Sequence, residues 1–192
     1  MRKILLPTAS LLLLLLAAGC GGVRITPRRS VLAHNLGTHY DKRAAVLAFR
    51  EPVGQPGLGN TFAAFLHREM LRAGPFVQVP FHPEAAWFGL QSAPAEELAT
   101  AAALGAELGF DLVIIGDIER FAYGRTSDST MVVSVWILDT VTGEVVHAER
   151  LTARGRVRSF PPSWEPGLSG SPDLERLMSE LAAEIVRRIS PY

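Results

Sequence analysis

Phe110-Asp-Leu-Val-Ile-Ile-Gly-Asp-Ile-Glu-Arg-Phe121 is the stretch that decides the fold, because it predicts a buried central strand. Leu112 to Ile115 is a continuous aliphatic run, which is typical of a strand covered on both faces. After Gly116 the apolar residues alternate with polar ones, so we expect the strand to reach water on one face.

A hairpin is predicted after this strand. Residues 131–138 have one fully apolar face, formed by Val133, Val135 and Ile137, and one mixed face that includes Ser134 and Trp136. Residues 139–143 supply the Asp and Gly that a short hairpin loop requires, and 144–149 form the returning strand.

The remaining sequence predicts two more strands and three helices. Ala44 to Phe49 is a short apolar run followed by a loop with two prolines and two glycines, and Phe76 to Val79 is a short run between Pro75 and Pro80. Apolar residues recur at spacings of three and four over 58–70 and 172–189, and 94–108 is rich in alanine. The order β-α-β-α-β-β-β-α predicts an α/β (α+β) domain, a mixed β-sheet with three helices packed on it.

The first nineteen residues indicate an export signal. Arg2 and Lys3 precede an apolar segment, 4–16, that is short for a membrane span of about twenty residues. Small residues then lead to Cys20, the only cysteine of the 192-residue chain. Two interpretations are open: a lipoprotein signal, or an ordinary signal peptide followed by a chance cysteine.

Leu16-Ala-Ala-Gly-Cys20 resembles the lipobox of bacterial lipoproteins. The resemblance implies cleavage before Cys20, a lipidated thiol, an acylated amino group and a membrane partner; Gly21 in place of Asp implies the outer membrane. Several acyl chains anchor far more firmly than one. We therefore expect a signal peptide at 1–19, a lipidated cysteine with a flexible tether at 20–43, and a single periplasmic domain at 44–192.

Charge and cysteine content exclude several classes of function. Cleavage removes Arg2 and Lys3 and no acid, so the 19 acidic side chains of the mature protein exceed the basic ones by two. This balance argues against nucleic acid as a partner. With Cys20 lipidated, no thiol remains for a disulfide or a metal site.

No constellation of residues predicts catalysis, a cofactor or a metal. The glycines at 54, 57 and 59 invite a phosphate-binding interpretation, but Phe62 stands where a dinucleotide site needs a small residue, and tight turns explain them better. The five histidines lack metal-ligand spacing and indicate surface or edge positions; they are His34, His39, His67, His82 and His147.

Two carboxylates, Asp117 and Glu119, share one face of the central strand. They could exchange protons with a substrate, but a charged strand face or edge is the better explanation. Ser169 lacks the spacing of a nucleophile elbow. We therefore do not expect an enzyme.

The segment from Arg154 to Leu168 is a candidate contact with a membrane or a partner. Arg154, Arg156 and Arg158 alternate before a proline-rich loop that carries Phe160 and Trp164. Aromatic rings at an interface with arginines directed at headgroups are one interpretation. In the other interpretation, Trp164 folds back onto the core.

Three motifs carry a family resemblance. They are Ala45–Phe49 before a glycine-bearing loop, 106–116 and 138–146. Behind a lipobox, this arrangement resembles the CsgG/LpoB/PelC-type outer-membrane lipoproteins over residues 44–189. That group includes the curli-secretion pore, an activator of penicillin-binding proteins and the Pel exopolysaccharide export lipoprotein.

Departures from the first two types make the Pel export lipoprotein the nearest in architecture. A curli-type barrel needs membrane strands of about 9–11 residues, and the loops at 80–94 and 122–130 are too short for them. The synthase activator uses a long disordered tail. The resemblance thus implies a non-catalytic, ring-forming homo-oligomer in assembly or export of a cell-envelope polymer, with Trp164 as candidate membrane aromatic. The alternative is an activator of a periplasmic peptidoglycan synthase.

Overall fold

A computed structural model describes residues 23–31, 39–77, 79–88, 94–122, 128–156 and 172–190. Within these ranges the strands are β1 Arg24–Val31, β2 Ala44–Leu47, β3 Phe81–His82, β4 Leu112–Ala122, β5 Asp128–Asp139 and β6 Val145–Arg156, and the helices are α1 Leu58–Ala73, α2 Pro94–Glu107 and α3 Pro172–Ile189. In the part of the chain so described, no helix is both long and apolar enough to cross a membrane.

The strands form one mixed sheet in the order β1-β6-β5-β4-β2-β3. Strand β4 pairs in parallel with β2 and antiparallel with β5. The predicted α+β fold, its element order from β2 onward and the burial of β4 on both faces are confirmed.

The two faces of the sheet are covered unequally. Helices α1 and α3 pack on the face that carries Ile114 and Val135, which we call the two-helix face. Helix α2 packs on the other, one-helix face, over Val113 and Leu138 at one end of the sheet. Each fully buried aliphatic side chain contributes about 1.5–3 kcal/mol to folding, so the larger cluster under α1 and α3 supplies most of the apolar stabilisation.

Two glycines have specific roles, one where a helix lies close to the sheet and one where a helix ends. A Cβ on Gly105 would lie 2.1 Å from Cγ1 of Val113, so only glycine lets α2 approach β4 this closely. Helix α1 ends at Gly74, as predicted, with φ of 58° and an N–H that donates to the Met70 carbonyl at 2.9 Å.

Strand β1 corrects the prediction of a flexible tether over 20–43. Residues 24–31 pair antiparallel with β6, and Ile25 packs against the two-helix core. Pro27 and the arginines of this segment disfavour a strand, but an edge strand tolerates Pro27 because one of its sides needs no N–H donor. A bulge between Pro27 and Arg29 absorbs the irregularity.

The predicted strand at Phe76–Val79 is also corrected. Phe76 and Val79 are buried core residues, and the two-residue strand β3 begins at Phe81 instead. The Pro80 carbonyl accepts a hydrogen bond from Val46 N at 2.9 Å, so the ladder with β2 forms beyond the proline. The apolar residues that pack in the core and the residues that pair with β2 thus lie in adjacent segments.

Asp139 organises the hairpin between β5 and β6. Its side chain accepts hydrogen bonds from the backbone N–H groups of Val141 and Thr142 at 2.9 and 3.0 Å and from Lys42 Nζ at 2.7 Å. Burial raises the pKa of this carboxyl, but the hydrogen bonds from Lys42 and the two N–H groups outweigh it and lower the pKa from 3.8 to about 2.

We expect Asp139→Asn to lower the free energy of unfolding at pH 7 by about 2 kcal/mol. The pKa of Asp139 is lower in the folded state, so its stabilisation is present above pH 4 and is lost as the pH falls towards 2. Urea unfolding at several pH values should show the two proteins converging in that window. Glu144→Gln, an exposed change in the same hairpin, is the control, and equal pH dependence of Asp139→Asn and wild type would contradict this account.

Candidate membrane-facing site

The start of β1 lies beside the end of β6. Arg24 is the partner of Arg154 across the two strands, and the row continues through Thr130 of β5 to Ala122 of β4. We call this row the anchor end of the sheet. Cys20 precedes Arg24 by four residues, which span at most about 14 Å when extended. The anchor end is therefore within reach of the predicted lipidation site.

The structure describes part of the predicted contact segment. Arg154 is exposed on the one-helix face, and Arg156 is the last residue of β6, opposite Asp128. Arg158, Phe160 and Trp164, like Cys20, lie outside the described residues. The predicted membrane contact of this segment stays a prediction, but β6 brings Arg154 and Arg156 to the anchor end.

Three exposed arginines on the one-helix face have no acidic partner in the described ranges. Arg24 and Arg154 stand side by side in the first row, and Arg120 lies in the row Thr26–Thr152–Val132–Arg120. None of the three forms a hydrogen bond or an ion pair with a described carboxylate. Helix α2 packs on the sheet farther from the anchor end, and no described helix packs over these rows on the one-helix face, although Val132 and Thr152 of the second row are buried.

Arg150, one row away, is neutralised. Its Nε donates to both carboxylate oxygens of Glu119 at 2.8 and 2.9 Å, and Ser134 Oγ donates to the same carboxylate. The hydrogen bond from Arg150 lowers the pKa of Glu119. The predicted pair of carboxylates is thus divided, because Asp117 accepts from Arg50 Nη2 at 2.9 Å.

Arg50 joins three elements and was not singled out from the sequence. Its Nη1 donates to both oxygens of Glu97 at 3.0 and 2.8 Å, and its guanidinium lies 5.8 Å from the ring centre of Trp87. The Glu97 residue of α2 is only 3% exposed. Burial lowers the pKa of Arg50, but the bonds to Asp117 and Glu97 outweigh it and raise the pKa, so the guanidinium stays charged.

We expect Arg50→Met to lower the free energy of unfolding by about 3–5 kcal/mol, because it leaves the Glu97 carboxylate buried without a counter-charge. The double variant Arg50→Met, Glu97→Gln should recover part of that loss in chemical denaturation. If the single variant lost less than about 1 kcal/mol, Arg50 would not be the link between α2 and β4.

His147 is buried, contrary to the predicted surface or edge position. Its side chain is 1% exposed beneath α3, with Nε2 3.7 Å from Glu149 Oε2. Glu149 also accepts a hydrogen bond from Arg188 Nη1 of α3 at 2.8 Å. Glu149 was missed for the same reason as His147: both lie on the apolar face of β6, where the strand alternation predicts apolar residues. Among the residues described, no group of three His, Cys, Asp or Glu side chains is arranged to hold a metal.

The glycine-bearing loop before α1 is a structural turn. Gly54 and Gly57 have φ values of 84° and 83°, which favour glycine. A Cβ on Gly59 would lie 2.1 Å from the Phe49 carbonyl oxygen, and Gly59 N donates to Glu51 Oε2 at 3.0 Å. A carboxylate of the chain itself therefore occupies the N–H group that a phosphate would need.

Comparison with known proteins identifies the fold. No family model matches the chain, and no curated protein matches its sequence. The PelC dodecamer from Paraburkholderia phytofirmans matches with a TM-score of 0.57 at 18% identity, over 90% of this chain and 99% of that one. A single-residue variant of that dodecamer gives 0.56 at 17% identity, over 90% and 100%. A lipoprotein from Neisseria meningitidis gives 0.47 at 15%, over 77% and 97%. The chain thus has the fold of the PelC-type lipoproteins, as its motifs predicted.

Proposed function

We propose that this chain is a non-catalytic lipoprotein that acts in export of an exopolysaccharide-type polymer through the cell envelope, as a ring-forming homo-oligomer. The observation that carries the proposal is its structural match to PelC dodecamers over 90% of its length. A subunit that acts by surrounding a channel needs no catalytic group. The carboxylates of Asp117 and Glu119 on β4 accept hydrogen bonds from Arg50 and Arg150.

The proposed location is the periplasmic side of the outer membrane. After removal of residues 1–19, lipidated Cys20 inserts in the bilayer and the folded domain begins at Arg24. Four residues hold the anchor end within about 14 Å of the lipid. This short span favours a protein held against the outer membrane over a synthase activator, which has to reach across the periplasm.

The loop after β6 is the proposed membrane contact. Arg156 ends β6 at the anchor end, so the following segment with Arg158, Phe160 and Trp164 starts near the proposed bilayer surface. Trp164 and Phe160 enter the interface while Arg154, Arg156 and Arg158 meet headgroup phosphates. These contacts orient a subunit that its lipid alone would leave free to tilt.

We expect cells lacking the gene to make a cell-surface polysaccharide but retain it, and Cys20→Ala not to restore secretion. A palmitate analogue should label the wild type and leave Cys20→Ala unlabelled. The mature protein in detergent should have the mass of a closed oligomer. Normal polymer secretion combined with slower peptidoglycan cross-linking would select the activator alternative instead.

We expect Trp164→Ala to reduce polymer secretion while the protein keeps its melting temperature and its lipid. Trp87→Ala is the matched control, because Trp87 is 2% exposed and donates to the Ala48 carbonyl at 2.7 Å. Truncation of such a core residue costs about 3–5 kcal/mol, which a thermal melt detects readily. A similar thermal loss for Trp164→Ala would place Trp164 in the core and remove it from the membrane contact.

A further inference from the structure

We propose that Arg24 and Arg154 form a binding site for the phosphate of an anionic phospholipid headgroup, and that Arg120 adds positive charge on the same face of the sheet. The inference rests on the proposed lipid anchoring of the chain at Cys20 and names the ligand that the anchor end takes. It adds Arg24 and Arg120 to the residues that the loop after β6 contributes.

Arg24 and Arg154 repel each other in the absence of an anion. They are direct partners on adjacent antiparallel strands. Their side chains point to the same face, because the residues that alternate with them, Ile25 and Ala153, pack in the two-helix core. Side chains so placed have Cβ atoms about 4.5–5.5 Å apart, and like charges there are destabilising. A phosphate between the two guanidinium groups turns this repulsion into attraction, since arginine binds phosphate oxygens in pairs.

Arg120 extends the positive surface across the sheet. It lies on β4 in the second row, beside Val132 of β5, and is exposed on the same face. Arg150, in the next row away from the anchor end, adds no net charge because Glu119 binds it. Arg24, Arg154 and Arg120 therefore place three positive charges on one face near the anchor end, where Asp128 is the one exposed carboxylate among the described residues of these rows and the adjoining strand end. This excess of positive charge suits the phosphates of an anionic bilayer.

The position of the site favours a lipid over a free anion. The patch begins four residues after Cys20, so the acyl chains hold it within about 14 Å of a bilayer surface. Charges interact over about 8 Å at physiological ionic strength, and a span of up to about 14 Å lets the patch come within that distance of the headgroup phosphates. The hairpin at 139–145 lies at the opposite end of β5 and β6 and has no comparable group of unpaired arginines among its described residues.

The test uses the mature lipoprotein in nonionic detergent, with short-chain phosphatidylglycerol, short-chain phosphatidylcholine or inorganic phosphate as probes. We expect phosphatidylglycerol to raise the melting temperature and the other two to have little effect. Arg24→Gln, Arg154→Gln and Arg120→Gln should each weaken the apparent affinity for phosphatidylglycerol about fivefold. Arg68→Gln is the control, because Arg68 is exposed on α1, which packs on the two-helix face of the sheet and not on the face of the proposed site.

Arg24→Gln also separates a ligand site from a structural role. The variant removes the repulsion between Arg24 and Arg154, so we expect it to raise the melting temperature without lipid and to reduce the response to phosphatidylglycerol.

Three results would overturn the proposal. An equal rise in melting temperature with phosphatidylcholine would mean that the site does not distinguish lipids by headgroup charge. An equal rise with inorganic phosphate would mean that the site binds a free anion. An undiminished lipid response in the arginine variants would mean that these residues are not the site. These lipid-binding measurements do not depend on polymer export or on oligomer mass. A protein that proved to be monomeric, or unnecessary for export, would therefore refute the proposed function without refuting the lipid site.

Discussion

The buried pairing of β4 with β2 and β5 is the constraint on which the rest of the structure depends. Because β4 is parallel to β2 and antiparallel to β5, it joins a crossover unit to a meander of long strands. Residues Leu112 to Ile115 are buried on both faces of the sheet, so both faces must be covered at this level. Helix α2 covers one side there, and the cluster under α1 and α3 covers the other.

Beyond that level no described helix packs on one face of the sheet, and the polar residues of that face differ accordingly. Asp117 and Glu119 alternate with apolar residues of β4 and each binds an arginine from another strand or loop. The buried carboxylates of Glu97 and Glu149 have Arg50 and Arg188 as partners. Arg24, Arg120 and Arg154, which have no acidic partner among the described residues, lie in the two rows at and next to the anchor end. Such a separation is expected when buried charges pair to stabilise the fold and exposed charges at one end interact with another surface.

The sequence predicted those elements whose own residues carry a clear periodicity. The aliphatic run of β4, the alternation of β5 and the stripe of α3 required no knowledge of neighbours. Strand β1 escaped prediction because its pairing depends on β6, and Pro27 and the arginines mask the alternation. The displaced strand β3 shows the same limit, since Phe76 and Val79 are apolar for packing while Phe81 carries the hydrogen bonds. At the candidate site, the alternation of Arg154 and Arg156 is visible in the sequence, and their contact with a membrane stays a prediction. That Arg24 and Arg120 lie on the same face of the sheet as Arg154 follows only from strand register.

The register of β1 on β6 also determines how the domain would bear a pull from a lipid at Cys20, the proposed anchoring residue. Such a pull would enter the described fold near Arg24 and run along the axis of β1, whereas the chain leaves the strand at the opposite end, after Val31. The ladder between the two strands would therefore be loaded in shear, with all seven of its paired positions resisting together. Had the anchor entered at the other end of the strand, the bonds would open one after another. In the proposed lipid-anchored protein, the edge strand thus transmits the pull to the whole sheet.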